Sequence, residues 1–256
     1  MGILNVGKDS FYDGGRYNER DQALSQTEKM LAEGAFFIDV GAASSKPGSP
    51  LLNAEEEKKI LLPILEALCT TFPKAHFSID TYNSGVAREA LQMGASMIND
   101  ISAGSIDKAM FQTVAAFQVP YVLMHIQGTP ETMQQQPEYQ NVVKEIKLNL
   151  IQQIQQASSQ GITDIIVDPG FGFGKTVAQN FELLQELHSL TDLNCPLLIG
   201  VSRKSMIYKV LNSTPQDALN GTTALHAWAL ERGAHILRVH DVKEAKECID
   251  LWTALQ

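Results

Sequence analysis

Three short segments concentrate the residue types that bind and activate small molecules. Val167-Asp-Pro-Gly-Phe-Gly-Phe-Gly-Lys175 sets three glycines among aromatic residues, directly after an apolar run. Glycine lacks a Cβ, so such a loop lets backbone amides approach a ligand closely. Asp168, sheltered by Phe171 and Phe173, heads the loop and can accept two parallel N–H bonds from a guanidine-like edge, as carboxylates do from arginine. An aspartate that merely caps the turn is the alternative. Gly174-Lys175-Thr176 matches the tail of a G-x-x-x-x-G-K-[ST] phosphate loop, but Pro169 occupies the first glycine position, so a nucleotide-binding P-loop is excluded.

The second segment is Ser202-Arg-Lys-Ser205. Two cations between two hydroxyls beside a helix start suit an anion or a carbonyl oxygen, although a solvated basic turn has the same composition. The third is Arg238-Val-His-Asp241, in which Arg238 and His240 share one face of a strand. A planar guanidinium there either stacks on a flat heterocycle or pairs with an aspartate. Two long polar loops, Asn5 to Gly15 and Gly41 to Gly48, are rich in glycine and small hydroxylic residues. That is the composition of lids that close over substrate, and also of plain connectors.

These segments need a scaffold that brings them together. Short apolar runs recur at Gly2–Val6, Phe36–Val40, His76–Asp80, Ser96–Asp100, Pro120–His125, Asp164–Asp168, Pro196–Val201 and His235–His240. Helical patterns alternate with them at Asp21–Glu33, Glu55–Leu68, Ser84–Met93, Lys108–Phe117, Glu138–Ser159, Asn180–Leu190, Gly221–Arg232 and Lys243–Ala254. Gly34, Gly94, Gly161 and Gly233 fall between a helix and the next strand, where helices are capped. Eight such repeats in one chain predict an α/β fold, a single (β/α)₈ TIM barrel of eight parallel strands forming one domain over residues 1–256. The strand ends then deliver Asn5, Asp39, Asp80, Asn99 with Asp100, His125, Asp168, Ser202 to Lys204, and Arg238 with His240 to one mouth.

The 256-residue chain has a formal charge of −9. That balance disfavours nucleic acid or an anionic membrane as partner. No apolar run reaches membrane-spanning length, and the opening MGILNV has no basic leader. Cys69, Cys195 and Cys248 lie far apart, with no paired spacing for zinc or a disulfide framework, which points to a reducing cytoplasm. Other barrel chemistries lack their residues: Asn5-Val-Gly stands where metal-dependent hydrolases carry H-x-H, and strand six ends in Asp168 instead of a Schiff-base lysine.

Taken in order, MGILNV…DSFYDGG, IDVG…S-x-PG, SIDTY, INDISAG, MHIQGTP, VDPGFGFGK, GVSRKS and RVHDV resemble the dihydropteroate synthases, from Met1 to about Leu251. The resemblance implies a folate-pathway transferase that joins p-aminobenzoate to 6-hydroxymethyl-7,8-dihydropterin diphosphate with the help of Mg²⁺. It also implies a homodimer and a sulfonamide target. It assigns the pterin pocket to Asp80, Asn99, Asp168, Lys204, Arg238 and His240. Asp80, Asp168 and Asn99 would meet the donor-rich edge, Lys204 the carbonyl side, and Arg238 the ring face. Asn5 would hold Mg²⁺ or the diphosphate. Asp9, Phe11, Ser45, Lys46 and Pro47 belong to the lids, while Phe173 and Ser205 would lie on the aminobenzoate side. Asp9, Asp80, Asp168 and Lys204 form the expected catalytic set.

Three departures fall in the lids. Gly7-Lys8 replaces the family's Thr-Pro, Ala43 replaces an acidic residue, and Lys46 replaces an arginine. Exchanging arginine for lysine trades a bidentate fork for a point charge. Lys8 would contact the diphosphate and offset that loss, or else be a solvated lid residue. Two rival readings share the pterin pocket. A methyltransferase domain acting between a folate and a corrinoid would lack the DSF lid and SRKS, and a relative that has lost catalysis would show altered lids.

Overall fold

In the computed structural model, residues 1–7, 16–43, 51–129, 132–133 and 137–256 are described. Their parallel strands follow one another around a ring: β1 (Gly2–Asn5), β2 (Phe37–Gly41), β3 (His76–Asp80), β4 (Met97–Asp100), β5 (Tyr121–Met124) and β6 (Ile165–Asp168) pair in that order. β7 (Leu198–Ile199) pairs with β8 (Ile236–Leu237). Two short bridges close the ring. Val167 meets Leu197 between β6 and β7, and Gly2 meets Val239 between β8 and β1, with Ile3 N–H donating to the Val239 carbonyl at 2.9 Å. The result is a (β/α)₈ barrel. β7 and β8 are shorter than their apolar runs, because pairing narrows to two residues where the ring closes.

Side chains alternate strictly across this ring. Ile38, Val40, Phe77, Ile79, Ile98, Tyr121, Leu123, Val167, Ile199 and Val239 face outward into one continuous core beneath the helices. Met97, Val122, Ile166 and Leu198 face inward and fill the lower barrel, against Met1, Phe37 and Ile236. The inward positions above them are Asp39, Ser78, Asp80, Asn99 and Arg238. One strand step therefore separates an apolar layer from a polar one.

The helices start and stop where local chemistry dictates. α2 (Ala54–Thr71) begins after Asn53, whose side chain accepts from Glu56 N–H at 3.0 Å. α5 begins at Val142 rather than at the expected Glu138. Asn141 caps Lys144 N–H at 2.9 Å, and Glu145 reaches back to the amides of Gln140 and Asn141. α6 (Val177–Gln185) starts three residues ahead of the expected Asn180, because Thr176 and Gln179 form a reciprocal capping box. It then gives way to a 3₁₀ turn at Leu187–Leu193. α1 (Arg16–Ala32) also starts earlier than expected, and α3 (Ser84–Gln92), α4 (Met110–Phe117), α8 (Leu219–Glu231) and α9 (Val242–Thr253) fall close to their patterns. A short α7 (Ser205–Val210) was not apparent in the sequence. Gly34, Gly94, Gly161 and Gly233 all have φ between 93° and 111°, the left-handed geometry expected after a helix.

Candidate active site at the barrel mouth

The register alone lines up the mouth. Asn5 pairs with Gly41, Gly41 with Asp80, and Asp80 with Asn99, in a single row across four strands. Gly41 is needed there: a Cβ at that position would stand 3.1 Å from the Asp80 Cβ. One layer below, Asp39 is fully buried and ties the site together. Its Oδ1 accepts from Ser78 Oγ at 2.6 Å, and its Oδ2 accepts from Asn99 Nδ2 at 2.9 Å and Arg238 Nε at 2.6 Å. Arg238 also donates through Nη2 to Asp80 Oδ2 at 2.7 Å. Of the two readings left open for Arg238, the aspartate pair is present, with two carboxylates.

The charges reflect that burial. Burial disfavours the Arg238 cation, but Asp39, Asp80 and Asp168 outweigh it and hold the guanidinium firmly protonated. Burial raises the Asp80 carboxyl against the pull of Arg238, and raises Asp168 against the pull of Lys204. Burial also lowers the Lys204 ammonium to about 8. Asp168 Oδ1 accepts from Gly170 N–H at 2.7 Å, a turn-capping bond made within the site. Lys204 donates to the Phe171 carbonyl, and its ammonium sits 4.6 Å from the centre of the Phe173 ring. Phe173 packs at the mouth with Tyr82, Ile101, Met124 and Met133. Phe171 does not join it, being wholly buried in the outer core.

His240 lies beside this group but is anchored to β7: its Nδ1 lies 2.9 Å from Ser202 Oγ. The residue is exposed overall, yet desolvation of its ring, reinforced by the Arg238 charge, draws its pKa below the ordinary histidine value. Ser205 is half-buried at the first turn of α7. Asn5 is exposed at the end of β1. Among the described residues no group of three or more His, Cys, Asp or Glu could hold a metal ion. One exposed amide oxygen suits an Mg²⁺ that is otherwise liganded by phosphate oxygens and water, not an ion in a protein cage. Asp9, Phe11, Ser45, Lys46 and Pro47, with Lys8, lie outside the described residues.

Two strand-end groups point elsewhere. Asp100 faces away from its neighbour Asn99 and binds Ser102 N–H, Ser102 Oγ, Gly104 N–H and Tyr121 Oη at 2.7–2.8 Å, shaping the β4–α4 turn. Arg203, one of the two cations of SRKS, forms a bidentate pair with Asp241 at 2.8 Å and donates to the carbonyls of Pro215 and Gln216. It therefore ties the β7 and β8 loops together, and Lys204 alone of the pair turns inward. The strand-end pattern brings Asp39 to the mouth, whereas the family resemblance does not count it in the pterin pocket. Its period-two spacing from Gly41, opposite Asp80, was the available signal. At Gly7 a Cβ would stand 2.6 Å from the Ala42 carbonyl oxygen, so the family's threonine would require the exits of β1 and β2 to shift apart.

A barrel whose mouth opposes carboxylates and an amide to a lysine and an arginine, beside the Phe173 ring and over an apolar layer, is the architecture of a pterin-binding enzyme. A profile described as "Pterin binding enzyme" matches residues 1–240. Dihydropteroate synthase of Escherichia coli (strain K12) is 43% identical over 251 residues, covering 97% of this chain and 88% of that protein. Among solved structures, the dihydropteroate synthase of Yersinia pestis with a sulfonamide drug complex superposes with a TM-score of 0.94 at 40% identity, covering 100% of this chain and 93% of that one. That of Xanthomonas albilineans with 4-aminobenzoic acid gives 0.93 at 37% identity, covering 100% and 92%. The chain belongs to the dihydropteroate synthase family, transferases of folate biosynthesis.

Proposed function

We propose that the protein joins p-aminobenzoate to 6-hydroxymethyl-7,8-dihydropterin diphosphate at this mouth, yielding 7,8-dihydropteroate and pyrophosphate. The observation that carries the reading is the convergence of Asp80, Asn99, Asp168, Lys204 and Arg238 from five strand ends, with Asp39 beneath them. Asp168, Asp80 and Asn99 meet the N–H-rich edge of the pterin, and Lys204 donates to its carbonyl oxygen. The hydrogen bonds of Arg238 run in the guanidinium plane, which leaves stacking on the ring compatible with its two ion pairs. Phe173 and Ser205 border the aminobenzoate.

Breaking the C–O bond to the diphosphate leaves positive charge on a carbon conjugated with the dihydropterin. Asp80 and Asp168 are already desolvated, and the negative charge they carry when ionised would stabilise that carbon. The neutral arylamine then attacks from an adjacent, oriented position and loses a proton, with no covalent enzyme intermediate. Asn5 would hold an Mg²⁺ that arrives with the diphosphate and stabilises it as a leaving group. Asp9, Phe11, Ser45 and Lys46 would close over the diphosphate and the amine. The family assignment favours this synthase over the methyltransferase reading.

A coupled assay tests the proposal. Pyrophosphate release should require both p-aminobenzoate and Mg²⁺, and p-aminobenzoate should bind poorly until pyrophosphate and Mg²⁺ are present. Release independent of p-aminobenzoate, or none at all, would leave only a pterin-binding relative without this activity. Three free cysteines and the absence of a membrane-length apolar helix among the described residues fit a cytoplasmic enzyme. The exposed Val210, Leu211, Trp228 and Leu251 on and beside α7 to α9 fit a homodimer, which sedimentation would detect.

A further inference from the structure

The Gly-Lys-Thr tail that resembles a phosphate loop is put to a different use. The Lys175 side chain turns into the protein and is only 3% exposed. Three acceptors surround its Nζ: the Gly170 carbonyl at 2.8 Å, the Phe173 carbonyl at 2.9 Å and His125 Nδ1 at 3.1 Å, one for each N–H of the protonated form. Burial lowers the lysine to about 7 against the pull of Asp168, and these three acceptors favour the charged form. Burial, and then the lysine charge, lower the His125 pKa to about 3, so the ring is neutral. A neutral ring that accepts at Nδ1 carries its proton on Nε2. The lysine thus spans from the β6 loop to the end of β5.

That loop is also held by Gly172 N–H donating to Asn180 Oδ1 at 2.7 Å, by Tyr139 Oη donating to the Gly174 carbonyl at 3.0 Å and by the buried Phe171 ring, but none of these fixes the Gly170 and Phe173 carbonyls to β5. Gly170, Gly172 and Gly174 all adopt positive φ, of 71°, 81° and 62°. Gly170 lies so close to β5 that a Cβ would fall 1.9 Å from the His125 carbonyl oxygen. The same loop carries the Phe171 carbonyl that accepts from Lys204, the Phe173 ring beneath that ammonium, and the Gly170 amide bound to Asp168. The side-chain hydrogen bonds that Lys204 and Asp168 make on this side of the mouth therefore run to a segment that Lys175 also holds.

We propose that Lys175 is a positioning residue: its ammonium clamps the Gly170–Phe173 turn to His125, and so sets Asp168, Phe173 and Lys204 relative to one another. The clamp is a property of the fold, and only its kinetic readout rests on the synthase reading. Lys175→Met keeps the apolar stem and removes all three hydrogen bonds. Leu65→Ala, in α2 and fully buried, supplies a control destabilised on elements remote from the loop. Amide hydrogen exchange across residues 168–176 should quicken about tenfold or more in Lys175→Met but not in the control. The specificity constant for p-aminobenzoate should fall about tenfold or more, as misplaced binding groups lose oriented reactivity. If Lys175→Met does not fold, Lys175→Gln is read by the same two measures. Exchange and kinetics in the lysine variant that match Leu65→Ala would overturn the clamp. A wild-type protein with no turnover would sink the synthase reading instead, while the exchange comparison would still decide the clamp.

Discussion

The two ends of the barrel interior are made of opposite materials by the same strands. At the lower end Met97, Val122, Ile166 and Leu198 form a dry layer that needs no partners beyond one another. Two residues further in β4, in β6 and just past β8, the inward positions are Asn99, Asp168 and Arg238; the first two are buried, Arg238 is partly buried, and each has a named polar partner. The lower layer stabilises by removing apolar surface from water. The upper layer pays a desolvation penalty that its ion pairs only offset. Such a layer is justified by what it binds, which is why strand-end chemistry marks function in this architecture.

Substitutions at the two ends should therefore separate stability from binding. The largest effect is expected for Arg238→Met, which strands Asp39 and Asp80 without their cation. Removing one partner of a buried pair costs about 3–5 kcal/mol, and urea unfolding should show it together with a loss of turnover. Next comes Leu198→Ala in the lower layer. It should cost about 2–5 kcal/mol of stability through the cavity it leaves, while KM values measured on the folded protein stay unchanged. A changed pterin KM in that variant would break the division between the two ends. Asp168→Asn should do the converse. Calorimetry should record a loss of about 2–4 kcal/mol in pterin affinity, with little change in melting temperature.

The smallest effect is a matter of pH. Burial lowers Lys204 to about 8, so its ammonium loses its proton well below the ordinary lysine range. If the charged form binds the pterin carbonyl, kcat/KM for the pterin diphosphate should decline on the alkaline side, centred near 8. Lys204→Arg keeps the charge at any working pH, so that limb should move upward. An alkaline limb identical in both proteins would assign it to some other group.

Much of this was legible before any coordinates. The strand ends announced themselves because a parallel barrel needs apolar runs with fixed exits, and Asp80, Asn99, Asp168, Lys204 and Arg238 each follow such a run. What stayed hidden was direction. Arg203 and Lys204 are neighbouring cations with the same composition signal, yet Arg203 has φ of 55° and its side chain leaves the mouth for Asp241. Asn99 and Asp100 likewise part to opposite faces of β4. Lys175 sits in a motif that suggests phosphate, but its acceptors are carbonyls of its own loop and a histidine 50 positions away. Adjacent residues of one charge are resolved only by backbone torsion and by partners distant in sequence. Asp39 is legible as a strand-end residue but not as the tie of the pocket, because that role comes from Ser78, Asn99 and Arg238 on three other strands.

The central claim is that the upper layer is the pterin site, and a crystal structure with a dihydropterin and p-aminobenzoate analogue tests it most directly. The account predicts the pterin edge against Asp80, Asn99 and Asp168, its carbonyl at Lys204, and the aryl ring beside Phe173 and Ser205. A pterin seated in the lower barrel, or on the Arg203–Asp241 pair outside the mouth, would contradict it.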